Sequence, residues 1–168
     1  MRPDLKRVPV YYHNYINQAI GEDLNHIFSE QAASFRTFLD SLTASQWDHR
    51  YASGKWSIKE LLQHIVDAER IFAYRALCIA RKDTTPLPGF DENQYQDNAK
   101  TENRDWKDLV EEFSLVRASN IILFRSFDEE QLEATGTASD ASNYVRAFGF
   151  IMAGHVAHHL KIIKERYL

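Results

Sequence analysis

Three histidines carry the chemistry legible in this chain. His155 and His159 stand four residues apart in a stretch that reads as helix. That spacing places both imidazoles on one face, about one turn apart, where they can grip a single ion. His64 lies far upstream in another predicted helix and could supply a third nitrogen if the two helices pack together. Three neutral nitrogen ligands leave a coordination position open, which suits catalysis better than structural support. Imidazole binds zinc at about 2.0–2.1 Å, so the rings must converge, and helices packed about 8–10 Å apart allow it. One divalent ion is expected, zinc or nickel foremost, although nitrogen donors alone also suit iron, cobalt or manganese.

The ordinary alternative is a metal-free one. A bare H-x-x-x-H pair is common on packed or surface helices, and His155, among Met152, Gly154 and Val156, could be a satisfied core histidine. His158 also faces His155 at i,i+3, but its ring points about 100° from that of His159, so it reads chiefly as a surface contact. One of Asp67 and Glu69 could orient a ligand histidine, surface charge being the commoner role. Arg117 and Asn120 face inward and could bind a polar substrate or satisfy the core. Arg146 could reach a pocket entrance. No separate general base can be named.

Four amphipathic helices must position these groups. The first runs from about Ile16 or Glu22 to Leu42, with Leu24, Ile27, Phe28, Phe35, Phe38, Leu39 and Leu42 at helical spacing and Gly21 weakening its opening. Thr43 with Gln46 resembles a capping box before Trp47. The second helix opens on a capping box of Ser57 and Glu60, with Trp56 stapling onto Leu61, and continues to about Ala80. Cys78, about 21 Å along that helix from His64, is out of reach of the site and reads as a packing residue. Residues 83–104, with Pro86, Pro88 and Gly89, form a long polar crossover that could wall a site. The third helix opens at Asn103 or Asp105 and reaches about Phe127. After a polar connection from Ser126 to Ser142, the fourth starts near Ser142 or Asn143 and carries Val145, Phe148, Met152, His155, His159 and Ile162 on one stripe. Lys161, Lys164 and Arg166 suit its C-terminal dipole. The pattern predicts an all-α four-helix bundle, not a sheet fold, with a long crossover between the second and third helices, and one domain over 1–168. Tyr11, Tyr12 and Tyr15 are expected to dock the N-terminal segment onto it.

Composition narrows the function classes. The chain has 168 residues, 44% hydrophobic and 26% charged, with net charge -4, so nothing draws it to nucleic acid or an anionic membrane. The single cysteine, Cys78, rules out an internal disulfide framework. No apolar run approaches the roughly 18 residues of a membrane span. The N-terminus lacks the apolar core of a secretory signal, and a cytoplasmic protein is expected.

Trp56-Ser57-x-x-Glu60, His64 with an acidic residue at Asp67 or Glu69, and the ending Gly154-His155-x-x-His158-His159 together resemble the DinB/YfiT-like superfamily across essentially the whole chain. The resemblance implies that His64 is the ligand of the second helix and that His155 and His159 are the paired ligands of the last. That family includes bacillithiol and mycothiol S-transferases, a thiol-dependent isomerase and many proteins described only as metal-dependent hydrolases. It implies a homodimer, a metal-dependent enzyme and, foremost, transfer of a low-molecular-weight thiol to a small electrophile. Hydrolysis is close behind, and a noncatalytic metal-stabilised binding or assembly protein is a further alternative.

Overall fold

A computed structural model describes residues 1–168. Its helices are α1 (His13–Gln18), α2 (Leu24–Asp40), α3 (Ala44–Trp47), α4 (Ile58–Ala80), α5 (Glu92–Asn98), α6 (Trp106–Arg125), α7 (Glu129–Glu133) and α8 (Val145–Arg166). Before α8 the chain forms a short antiparallel hairpin of β1 (Thr135–Ala138) and β2 (Ala141–Tyr144), with Thr135 opposite Tyr144 and Ala138 opposite Ala141. The four long helices make the bundle: α4 packs between α6 and α8, and α2 touches α6 and α8 from the other side. This is the expected all-α bundle, with the long crossover between α4 and α6.

Local chemistry sets most boundaries. The side chains of Asp23, Ser57 and Asp105 accept from the first free backbone N–H groups of α2, α4 and α6. Both expected capping boxes form, at Thr43 with Gln46 and at Ser57 with Glu60. Of the two starts open to the first long helix, the later one near Glu22 holds: Gly21 takes φ +123°, which no helix contains, so α1 and α2 are separate elements. The polar connection after α6 also holds more structure than its composition suggests. Its hairpin turns through Ser139 and Asp140, both left-handed at φ 52° and 58°, a twist that matches paired strands. The crossover contributes α5 and is stitched to that turn: Leu87 N–H donates to the Thr137 carbonyl at 2.9 Å and Ser139 N–H to the Leu87 carbonyl at 3.0 Å.

Two apolar clusters fill the bundle. One joins α1, the C-terminal half of α4, the hairpin and the first half of α8. The other joins Phe35 and Leu39 of α2, Ile58–Val66 of α4, Trp106–Phe113 of α6, and Val156 and Ile163 of α8. Between them lies a buried polar waist. Glu69 accepts from Arg117 Nε at 3.1 Å, from Arg117 Nη2 at 2.5 Å and from Asn120 Nδ2 at 2.9 Å. Gln31 links the waist to α8, accepting from Arg117 Nη1 at 2.8 Å and donating to the Ala153 carbonyl at 2.8 Å. Glu69 is therefore not the surface charge that its type suggests. It is 1% exposed, because its partner arrives from α6.

Candidate metal centre

The packing of α4 on α8 brings His64, His155 and His159 together. Nε2 of His155 lies 2.9 Å from Nε2 of His64 and 3.0 Å from Nε2 of His159. One nitrogen of each ring lies within 4.8 Å of the other two. His155 and His159 are buried and His64 partly so. Gly154 permits a further element to cover the cluster: a Cβ there would overlap the Tyr15 carbonyl oxygen, so only glycine lets α1 cross α8 one residue from His155. Tyr15 then meets the His155 ring edge-on at 5.4 Å.

The protonation states favour an ion. Burial drives His64 down to about 4. It also holds His155 and His159 well below the ordinary imidazole range, with repulsion from the neighbouring histidines adding to burial. All three are neutral at pH 7, the form that donates a lone pair. Nε2 of His155 has one in-plane site, a lone pair or an N–H, and cannot satisfy both neighbouring nitrogens with hydrogen bonds. The buried Nδ1 of His159 has no hydrogen-bond partner. Lone pairs converging at these separations form a cluster able to coordinate a metal ion, and the donor set fits zinc or nickel without selecting between them.

The cluster opens on a cavity of about 570 Å³. Tyr12 and Tyr15 dock the N-terminal segment on the first apolar cluster as expected, whereas Tyr11 is exposed; all three line this cavity, a role their clustering did not disclose. Trp56, besides packing beside the second apolar cluster, stands 5.2 Å from the His64 ring and forms another wall. The crossover supplies Phe90, Glu92 and Asn93, so it does wall the site.

The remaining candidates fall outside. His158 lies half-buried on the neighbouring face, where its Nδ1 meets Gln18 Nε2 at 3.3 Å and its ring meets Tyr15. Asp67 accepts from Gln63 Nε2 at 3.0 Å and orients no histidine of the cluster. Arg117 and Asn120 are inward, as expected, but their hydrogen bonds go to the waist. Arg146 does not reach the cavity: it pairs with Glu129 and Glu133 of α7. Cys78 is partly buried against the first apolar cluster. The residue that sequence reasoning passed over is Arg75, buried at the cavity wall. The available signal was its position, 11 residues after His64 and about three turns along the same face.

The fold and this cluster define a helical bundle built around three convergent imidazoles. A family model described as the DinB superfamily matches residues 27–163, and the chain belongs to that superfamily. It is similar to the Oceanobacillus iheyensis protein named "Putative metal-dependent hydrolase OB0413", 27% identical over an alignment of 133 residues, with 75% of this chain and 73% of that protein covered. Its fold is similar to that of YfiT from Bacillus subtilis, described as "a probable metal-dependent hydrolase with an unusual four-helix bundle topology". The TM-score is 0.73 at 17% identity, covering 84% of this chain and 82% of that one. No helix of the chain is long and apolar enough to cross a membrane.

Proposed function

We propose that the chain is a metal-dependent enzyme in which His64, His155 and His159 hold one divalent ion, zinc or nickel. The observation that carries this reading is the convergence of three neutral Nε2 atoms at the wall of a cavity large enough for a small molecule. When bound, the ion would supply Lewis acidity, lowering the pKa of a nucleophile at its open position. The aromatic rings of Tyr15, Trp56 and Phe72 would keep bulk water from the reacting groups, and Tyr15 would hold the His155 ring in place by edge-on contact.

We read the reaction as transfer of a low-molecular-weight thiol to a small electrophile. The cavity's one carboxylate, Glu92, is exposed, so no buried base stands ready to take a proton from water. A thiol, with an ordinary pKa of about 8.5 against about 15.7 for water, needs far less help to ionise. Metal-dependent hydrolysis is the second reading, supported by the names of the Oceanobacillus and Bacillus proteins.

Elemental analysis and metal titration of the purified chain should give about one ion per chain, and the His155→Ala, His159→Ala double variant should lose it. Equal stoichiometry and affinity in both proteins would refute the assignment. The loaded protein should then be assayed by product mass with several thiols and electrophiles, beside ester and amide hydrolysis. Metal-dependent hydrolysis without thiol transfer would select the second reading.

A further inference from the structure

The fold treats its buried arginines unequally. Arg117 is neutralised by Glu69, and Arg146 by Glu129 and Glu133. Arg75 is only 2% exposed and pairs with no carboxylate. Its two hydrogen bonds both leave from Nη2, to the Pro88 carbonyl at 2.7 Å and to Ser139 Oγ at 3.0 Å. The rings of Phe72 and Phe90, 5.8 and 5.9 Å from the guanidinium carbon, give weak cation–π contact and no counter-charge. A buried charge without an acidic partner is expensive for a fold to keep.

Arg75 lines the same cavity as the three histidines. From His64 the cavity runs along α4 past Ala68 and Phe72 to Arg75, all on one face. Phe72 bridges the two ends: its ring centre lies 6.2 Å from that of His155 and 5.8 Å from the Arg75 guanidinium carbon, so the cation and the His155 ring are no further apart than these two steps together. Tyr12, whose phenol is pushed up to about 12, chiefly by burial, stays protonated in the same wall and can donate alongside it.

We infer that Arg75 is a binding residue for an oxyanion, a carboxylate foremost, carried by the small molecule that reacts at the histidine cluster. This rests on the metal-dependent reading of that cluster and adds to it the class of substrate: a molecule with a reactive group at one end and an anion at the other. Two donors already fixed on Pro88 and Ser139 hold the guanidinium plane still, which suits planar recognition of a carboxylate. Ala68 leaves room along the helix between the two ends.

The test needs no metal and no turnover. Binding of 4-phenylbutyrate and of its neutral counterpart 4-phenylbutanamide to the chelated wild-type chain would be measured by calorimetric titration, then repeated with Arg75→Gln and Arg75→Lys. The acid should bind about tenfold or more tighter than the amide in the wild type, about 1.4 kcal/mol. In Arg75→Gln that preference should vanish while amide binding holds, and Arg75→Lys should retain part of it. Equal binding of acid and amide by the wild type, or binding of neither at millimolar concentration, would overturn the inference whether or not any variant folds. A loss in Arg75→Gln that is the same for both compounds would also overturn it, marking Arg75 as a strut for the crossover. Metal titration separates the two readings. Acid preference without an ion at the histidines would leave Arg75 as an oxyanion-binding residue and remove the enzyme reading. Metal-dependent turnover with no acid preference would do the reverse.

Discussion

Acidification of the metal-free chain should destabilise it through the histidine cluster. His64 folds with a pKa of about 4, and His155 and His159 with values well below the ordinary range, whereas each returns to about 6.5 in the unfolded chain. Between those values the unfolded state binds more protons, so stability falls as pH drops below about 6.5. For His64 the loss levels off near 4. One pH unit across this window costs about 1.4 kcal/mol for a histidine, so pH 5 costs about 2 kcal/mol through His64, and His155 and His159 add losses of the same sign. Against an ordinary stability of about 5–15 kcal/mol this is a large fraction for a domain near the lower end of that range. Urea unfolding followed by circular dichroism, after exhaustive chelation, at pH 7, 6 and 5, reads this directly. Burial pushes the carboxyls of Glu60, Glu112 and Glu133 up, but hydrogen bonds and charge pairing with arginines outweigh it and hold them below the ordinary range, so their contribution is lost only at lower pH. A His64→Asn, His155→Asn, His159→Asn variant should lose most of the slope between pH 6.5 and 5. The same slope in that variant, or none in the wild type, would refute the reasoning.

Glu69→Gln should destabilise the chain by about 3–5 kcal/mol in urea unfolding, because it strands the Arg117 charge at a buried site; pairing it with Arg117→Met should recover much of that loss. Gly154→Ala should cost about 1–3 kcal/mol, because the added Cβ overlaps the Tyr15 carbonyl oxygen, and proteolysis should then cut the N-terminal segment before the bundle unfolds.

What the sequence disclosed was what local chemistry decides. The boxes at Thr43–Gln46 and Ser57–Glu60 close within four residues, and the His155–His159 pair follows from helical spacing alone. The convergence of His64 is non-local and came through the order of motifs, not through spacing. The hairpin escaped because its turn uses Ser139 and Asp140 in left-handed conformations, without the glycine that usually signals such a turn. Glu69 and Arg117 are 48 residues apart, and nothing near either one announces that the other will meet it. Arg75 was hidden for the same reason in reverse: a lone arginine on a helix reads as surface until the hairpin and crossover are seen to bury it.

The placement of polar groups follows one economy. A four-helix bundle of this length could have a continuous apolar core, yet here two apolar clusters are parted by charged and imidazole side chains at the level where α4 meets α8. Each buried charge away from the cavity is answered: Glu69 by Arg117 and Asn120, Arg146 by α7. The Arg75 guanidinium, which has no counter-charge, and the converging Nε2 atoms, which cannot all satisfy one another, face the same cavity from opposite ends. Packing alone would favour apolar residues at all of these positions, since well-packed apolar side chains are at least as stable as buried charges. An unneutralised cation and a crowded set of imidazole nitrogens are therefore better accounted for by what enters the cavity than by what the bundle needs in order to fold.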